Sequence, residues 1–202
     1  MLQMTREQHE RYIAAIGPWH YNYQFADGCM TGDSAPNLFP EKMPLMIAGG
    51  AFSKPNYPDV LDLGANSGYI AKWFTEAKNS HVVAVEAGEK FWLQLKHAVE
   101  CFGLESRIEP RNEHIELCQF ALNTEDTYDL VIFLGTMHHI GRAHHEKIFH
   151  ACRKVLKPGG EFVVQTKREE DVMAKLMAAG FQGVYQVYWS DQQDRGCWAG
   201  VK

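Results

Sequence analysis

Positive charge is in short supply in this chain: 20 Lys and Arg stand against 25 Asp and Glu, a formal net charge of −5. Nucleic-acid binders take most of their affinity from neutralising phosphates. No dense basic run provides that here, so nucleic acid is not the expected partner, although a local basic patch remains compatible with the count. Long apolar runs are missing as well. The longest are strand-sized, well short of the roughly 20 residues that span a bilayer, and no membrane partner is expected. The opening segment MLQMTREQHERY has no apolar core of an export signal, which gives a cytoplasmic location as the expectation. Cysteine is sparse and odd in number (Cys29, Cys101, Cys118, Cys152, Cys197), with no C-x-x-C pair. Reduced thiols follow, rather than a disulfide or zinc framework. Histidines cluster at His138, His139, His144, His145 and His150, yet H-E-x-x-H is absent. The last three read as a solvated helix, and no metal is expected. Finally, residues 64–69 read GANSGY, which is not the G-x-G-x-x-G of nicotinamide dehydrogenases.

What is present is enough for one globular core: 202 residues, 46% of them hydrophobic. Two textures divide the chain. Residues 1–58 hold a polar helix stopped at Gly17-Pro18, an aromatic and irregular stretch at 19–40, and a short helix at 41–52. Trp19, Tyr21, Tyr23 and Phe25 alternate there, as in an edge strand or a lid. With so few apolar residues, this part reads as a helix and lid extension rather than a domain with its own core. From Asp59 to the end, strand and helix signals alternate. Strands are expected at 60–63, 81–86, 107–110, 130–134 and 161–166. Helices are expected up to Lys78, over 89–102, briefly at 115–122, over 143–156 and over 169–179. Two closing strands, 181–189 and 196–201, flank a polar turn. Alternation of this kind gives a parallel α/β sheet covered on both faces, with an antiparallel addition at the end. Trp73, Phe74, Phe91 and Trp92 are expected to pack helices on that sheet.

Two local features carry chemistry. VLDLGANSG (60–68) places Gly64 and Gly68 around the turn that leaves the first strand, where open α/β sheets bind ligands. Asn66 is one of the few non-glycine residues that tolerates a left-handed conformation there. Glu86 ends the second strand about 20 residues on, where a carboxylate can accept both hydroxyls of a ribose. Either feature alone also suits a plain strand–helix turn and a solvated strand-end acid.

Taken together with DLVIFLGTMHHI (129–140) and RKVLKPGGEFVVQT (153–166), and with VVAVEAG (82–88) around Glu86, residues 59–202 resemble a class I S-adenosylmethionine (SAM)-dependent methyltransferase. The resemblance implies a Rossmann-like, doubly wound and mostly parallel seven-stranded sheet with a C-terminal antiparallel hairpin and a short N-terminal lid. It implies SAM as cofactor, with Asp62, Gly64, Ala65, Asn66 and Gly68 about its methionine part. Glu86 and Ala87 would lie on its ribose, Glu113 and His114 on its adenine, and Leu134 and Gly135 along the cleft. A shorter stretch, WHYNYQFADGCMTGD (19–33), is similar to the segment before the catalytic core in tRNA wobble-uridine carboxymethyltransferases and related small-molecule enzymes. It rests on Trp19, His20, Asp27-Gly28, Thr31 and Gly32, and implies a lid.

The expected activity is methyl transfer to an O or N atom of a small-molecule acceptor. An RNA-modifying methyl- or carboxymethyltransferase, and a non-catalytic SAM-binding subunit, are the alternatives. A hydroxyl acceptor benefits from a general base near neutral pH. His138, after the fourth strand, and His20, on the lid, are the candidates, with Tyr21 beside the latter.

Overall fold

The structure is a computed structural model that describes residues 4–31, 38–167, 171–190 and 194–202. Helix α1 (Arg6–Ala15) opens with a capping box: Thr5 accepts from the Gln8 amide while the Gln8 side chain accepts from the Thr5 amide. Helix α2 (Leu38–Ala48) follows, with Pro44 inside it. The alternating part then runs β1 (Asp59–Leu63), α3 (Tyr69–Lys78), β2 (His81–Val85), α4 (Glu89–Phe102), β3 (Ile108–Arg111), β4 (Tyr128–Leu134), α5 (His145–Val155), β5 (Leu156–Lys167), α6 (Val172–Ala178), β6 (Gln182–Ser190) and β7 (Arg195–Val201).

These strands form one seven-stranded sheet in the order β3-β2-β1-β4-β5-β7-β6. The first five pair in parallel, and β7 inserts antiparallel between β5 and β6. Strand order reverses between β1 and β4, which pair at Val60–Leu130 and Asp62–Ile132. Such a switch point opens a crevice at the carboxyl ends of the strands. The period of two sorts the core into two layers. Leu61, Leu63, Val83, Val85, Val131 and Phe133 pack with α5 and α6, and Val60, Val82, Ala84, Leu130 and Ile132 pack with α3 and α4.

Several element limits differ from the sequence reading, for identifiable reasons. Lys157-Pro158-Gly159-Gly160 stops α5 but belongs to β5, which begins at Leu156 and pairs with Tyr128 before a register shift. The expected helix at 115–122 is two 3-10 turns, Ile115–Leu117 and Gln119–Ala121, separated by Cys118 at φ 55°. The polar turn of the final hairpin lies partly outside the described residues, as does Gly32. The aromatic stretch makes one bridge, Gln24 with Met30, rather than an edge strand. Trp19, Tyr23 and Phe25 bury themselves with Ile13, Ile16 and Cys29 against Ala98 of α4. The segment therefore has a small apolar cluster, borrowed in part from α4, where none was expected. No helix among the described residues is long and apolar enough to cross a membrane.

Candidate cofactor and acceptor site

The turn after β1 is held from the next strand: the Gly64 and Ala65 amides both donate to the Val85 carbonyl, at 2.9 and 3.0 Å. Gly64 has φ 79°, and a β-carbon there would stand 2.7 Å from Cβ of Thr136, so glycine is required twice over. Asn66 takes the left-handed conformation expected of it, at φ 52°. Its amide donates to Glu86 Oε2 at 2.9 Å, and the Gly88 amide donates to Oε1 at 2.8 Å. Glu86 is thus locked in place by backbone donors, with lone pairs left on both oxygens for a ligand.

Around this turn lies a cavity of about 630 Å³, within the roughly 300–1,000 Å³ of small-molecule sites. One end is lined by Gly64, Asn66, Glu86, Ala87, Gly88, Phe91, His114 and Ile115, and the wall continues through Leu134, Gly135 and Thr136. The other end is polar and cationic, with His20, Tyr21, Lys42, His139, Gln165 and Arg195. Tyr21 stacks on Tyr69 of α3 at 5.1 Å and meets His20 edge-on at 4.9 Å. Burial next to Lys42 and Arg195 lowers the His20 pKa from its ordinary 6.5.

Of the residues read from sequence, Gly64, Asn66, Glu86, Ala87, His114, Leu134, Gly135 and His20 come together on this cavity. Asp62, Ala65, Gly68, Glu113 and His138 do not line it. Asp62 is wholly buried behind the turn, its Oδ2 without a hydrogen-bond partner among the described residues. Gly68 caps α3 at φ 86°, where a β-carbon would stand 2.4 Å from a Leu95 methyl group, and Ala65 packs in the core. Glu113 is displaced because the backbone is extended at His114 before the 3-10 turn, so His114 and Glu116 face the cavity instead. His138 is displaced because a 3-10 turn steps about 120° per residue. Met137 is buried in the core and His139 lines the cavity, while His138 between them does not line it, its ring lying 4.0 Å from that of His139. Burial, then His139 and Arg195, push His138 down to about 4. The expectation of a solvated His145 is also corrected: it is 2% exposed and its Nε2 bonds the Ile140 carbonyl at 3.0 Å. Phe91, expected in helix packing, lines the cavity.

Sequence reasoning missed Lys42, Gln165 and Arg195. They reach the cavity from α2, β5 and β7, and only the fold brings them near the glycine turn.

A methyltransferase domain model matches residues 60–160, half of the chain. The chain belongs to the class I SAM-dependent methyltransferases. No curated protein matches it in sequence. Among solved structures, the N-terminal domain of EvdMO1, crystallised with SAH and D-fucose, superposes with a TM-score of 0.72 at 16% identity, covering 98% of this chain and 96% of that domain. EvdMO1 itself gives the same TM-score at 18% identity, covering 98% of this chain and 48% of that one. The 1,6-didemethyltoxoflavin-N1-methyltransferase of Burkholderia thailandensis gives 0.63 at 16% identity, covering 82% and 81%. This methyltransferase chain spans about half the length of EvdMO1 and of an O-methyltransferase family protein from Burkholderia thailandensis, 12% identical, whose TM-score is 0.65 and of which 56% is covered against 80% of this chain. At these identities the likeness is one of fold. The residues present fit the family's cofactor: Glu86 has free acceptor capacity, Asp62 has an orphaned oxygen, and the cradle at Gly64 admits no β-carbon.

Proposed function

We propose that this chain transfers a methyl group from SAM to an O or N atom of a small, polar acceptor. One observation carries the proposal: a single cavity joins the glycine turn and Glu86 at one end to His20, Tyr21, Lys42, His139 and Arg195 at the other. When bound, SAM supplies a methyl group already activated as a sulfonium substituent. The protein is left with binding, alignment and, for a hydroxyl acceptor, removal of a proton.

Glu86 holds the ribose hydroxyls, His114 and Ile115 border the adenine, and Gly64 and Asn66 let the methionine part approach the backbone. Asp62, buried beneath that turn, backs the loop on which the methionine part rests. At the far end His20 is kept neutral near pH 7 by burial and by its cationic neighbours, so its lone pair is available to an acceptor hydroxyl. His20 replaces His138 as the first candidate base, and His139 is the second. The N-terminal segment, bound through Tyr23 to the glycine turn, closes the acceptor end against water. The net charge of −5 and the cavity size favour a small molecule over RNA.

The experiment is an acceptor screen with SAM on the full chain, reading S-adenosylhomocysteine release. Turnover with a hydroxyl- or amine-bearing metabolite is expected. SAM binding with no turnover, or turnover on tRNA alone, would contradict the proposal.

A further inference from the structure

Away from the cavity, imidazole, thiol and carboxylate groups converge where the N-terminal segment meets α4. His9 of α1 is 6% exposed and His97 of α4 is 1% exposed. Their Nε2 atoms lie 2.8 Å apart. Cys101, on the same face of α4 as His97 by its i,i+4 spacing, places Sγ 3.7 Å from Nε2 of His9 and 3.5 Å from Nε2 of His97. The other ring nitrogen of His9, Nδ1, sits 2.5 Å from Asp27 Oδ2. None of these residues lines the cavity, and the methyltransferase chemistry makes no use of them.

We propose that Nε2 of His9, Nε2 of His97 and Sγ of Cys101 bind one zinc ion, with Asp27 orienting His9 from its far side. Three ligand atoms within 4.8 Å of one another meet the basic requirement. Tetrahedral zinc, with Zn–N of about 2.0–2.1 Å and Zn–S of about 2.3 Å, sets ligand edges of about 3.5 Å between N and S and about 3.4 Å between two nitrogens. Both sulfur edges match. The two imidazoles stand about half an ångström too close, as a hydrogen-bonded pair does; on loading, His97 moves its proton from Nε2 to Nδ1, Cys101 releases its thiol proton to solvent, and the rings part. Asp27 supplies the decisive detail. A carboxylate on Nδ1 fixes the His9 tautomer that carries its proton there, which leaves the Nε2 lone pair pointing at His97 and Cys101. This is the carboxylate–histidine–metal arrangement by which proteins orient their ligands. The combination of imidazole and thiolate selects zinc over calcium or magnesium. An alternative triad of His9, Asp27 and Cys29 shares His9, but His9 Nδ1 and Asp27 Oδ2 stand 2.5 Å apart, further short of a tetrahedral ligand edge than the two Nε2 atoms are.

Three protein ligands leave the fourth position to water, on the side where Cys101 is partly exposed. The ion works as a staple: it ties α1 to α4 and so fixes the segment that carries His20 and Tyr21 into the cavity. Its ligands come from positions 9, 97 and 101, too far apart in sequence to form a recognisable motif.

The test uses the full chain, stripped with chelator and titrated with Zn²⁺ by calorimetry and with Co²⁺ by absorbance. One equivalent is expected to bind, with a thiolate-to-Co²⁺ charge-transfer band. Cys101→Ser should abolish that band while keeping the native circular dichroism spectrum. Asp27→Asn should weaken binding about 10–100-fold, and Cys29→Ser should leave the stoichiometry at one. Absence of saturable binding to the wild-type chain overturns the proposal without any variant. So does a charge-transfer band that survives in Cys101→Ser, or one lost only in Cys29→Ser.

Discussion

Asp62 lies fully buried at the end of β1, and its carboxyl is pushed up to about 7, by burial first and by the nearby charge of Glu86 second. A raised carboxyl pKa means that the folded chain holds a proton the unfolded chain has released, so this stabilising effect is complete below about pH 4 and is lost as pH rises to about 7. The slope is at most about 1.4 kcal/mol per pH unit in that window. Asp62→Asn should flatten the dependence and leave the ligand-free protein more stable than wild type at pH 8, as chemical denaturation across pH would show. Parallel stability curves for the two proteins would contradict it. His20 calls for the opposite kind of measurement. With its pKa lowered below 6.5, turnover should rise with pH through the acid range and level off before neutrality. His20→Ala should lose roughly 10²–10⁴-fold in turnover, lose that acid limb, and keep its affinity for S-adenosylhomocysteine. His138→Ala should fall well short of that range, because His138 does not line the cavity.

At the scale of elements, the N-terminal segment is held by a few identifiable contacts. The Tyr23 hydroxyl donates to the Ser67 carbonyl at 2.8 Å, and Gln94 of α4 donates to the Ile16 carbonyl at 2.5 Å. Tyr23→Phe leaves a buried carbonyl without its donor and should cost about 1–3 kcal/mol of stability, measured by denaturant unfolding. Deleting residues 1–40 should leave the α/β part folded, since its two core layers draw on β1–β7 and their helices, but remove most activity. Full activity in that truncated chain would show that the segment is no lid. Much of this architecture was legible in the residues. Strands β1, β2 and β4 are apolar because both faces are covered, α4 is amphipathic and ends at Gly103 with φ 66°, and each stands close to its expected limits. The two 3-10 turns after β3 were not legible, because a helical period cannot be told from two tight turns over so short a span. The mode of packing of the aromatic segment was not legible either: its partner is Ala98 of α4, distant in sequence.

Seen across the whole molecule, the crevice between β1 and β4 organises two unlike ends of one cavity. The cofactor end was readable in advance at Gly64, Asn66 and Glu86, since one turn and one neighbouring strand end build it. The acceptor end was readable only at His20 and Tyr21. Lys42, Gln165 and Arg195 arrive from three separate elements, and the choice between His138 and His139 depends on the rotation of a single 3-10 turn. On this reading the cavity beside Glu86 is the cofactor site. Calorimetric titration of the full chain with S-adenosylhomocysteine, repeated on Glu86→Ala, tests it most directly. One equivalent should bind to the wild-type chain, and the variant should lose about 1–3 kcal/mol, roughly 5- to 150-fold in affinity. No binding to the wild-type chain, or equal affinity in the two proteins, would contradict it.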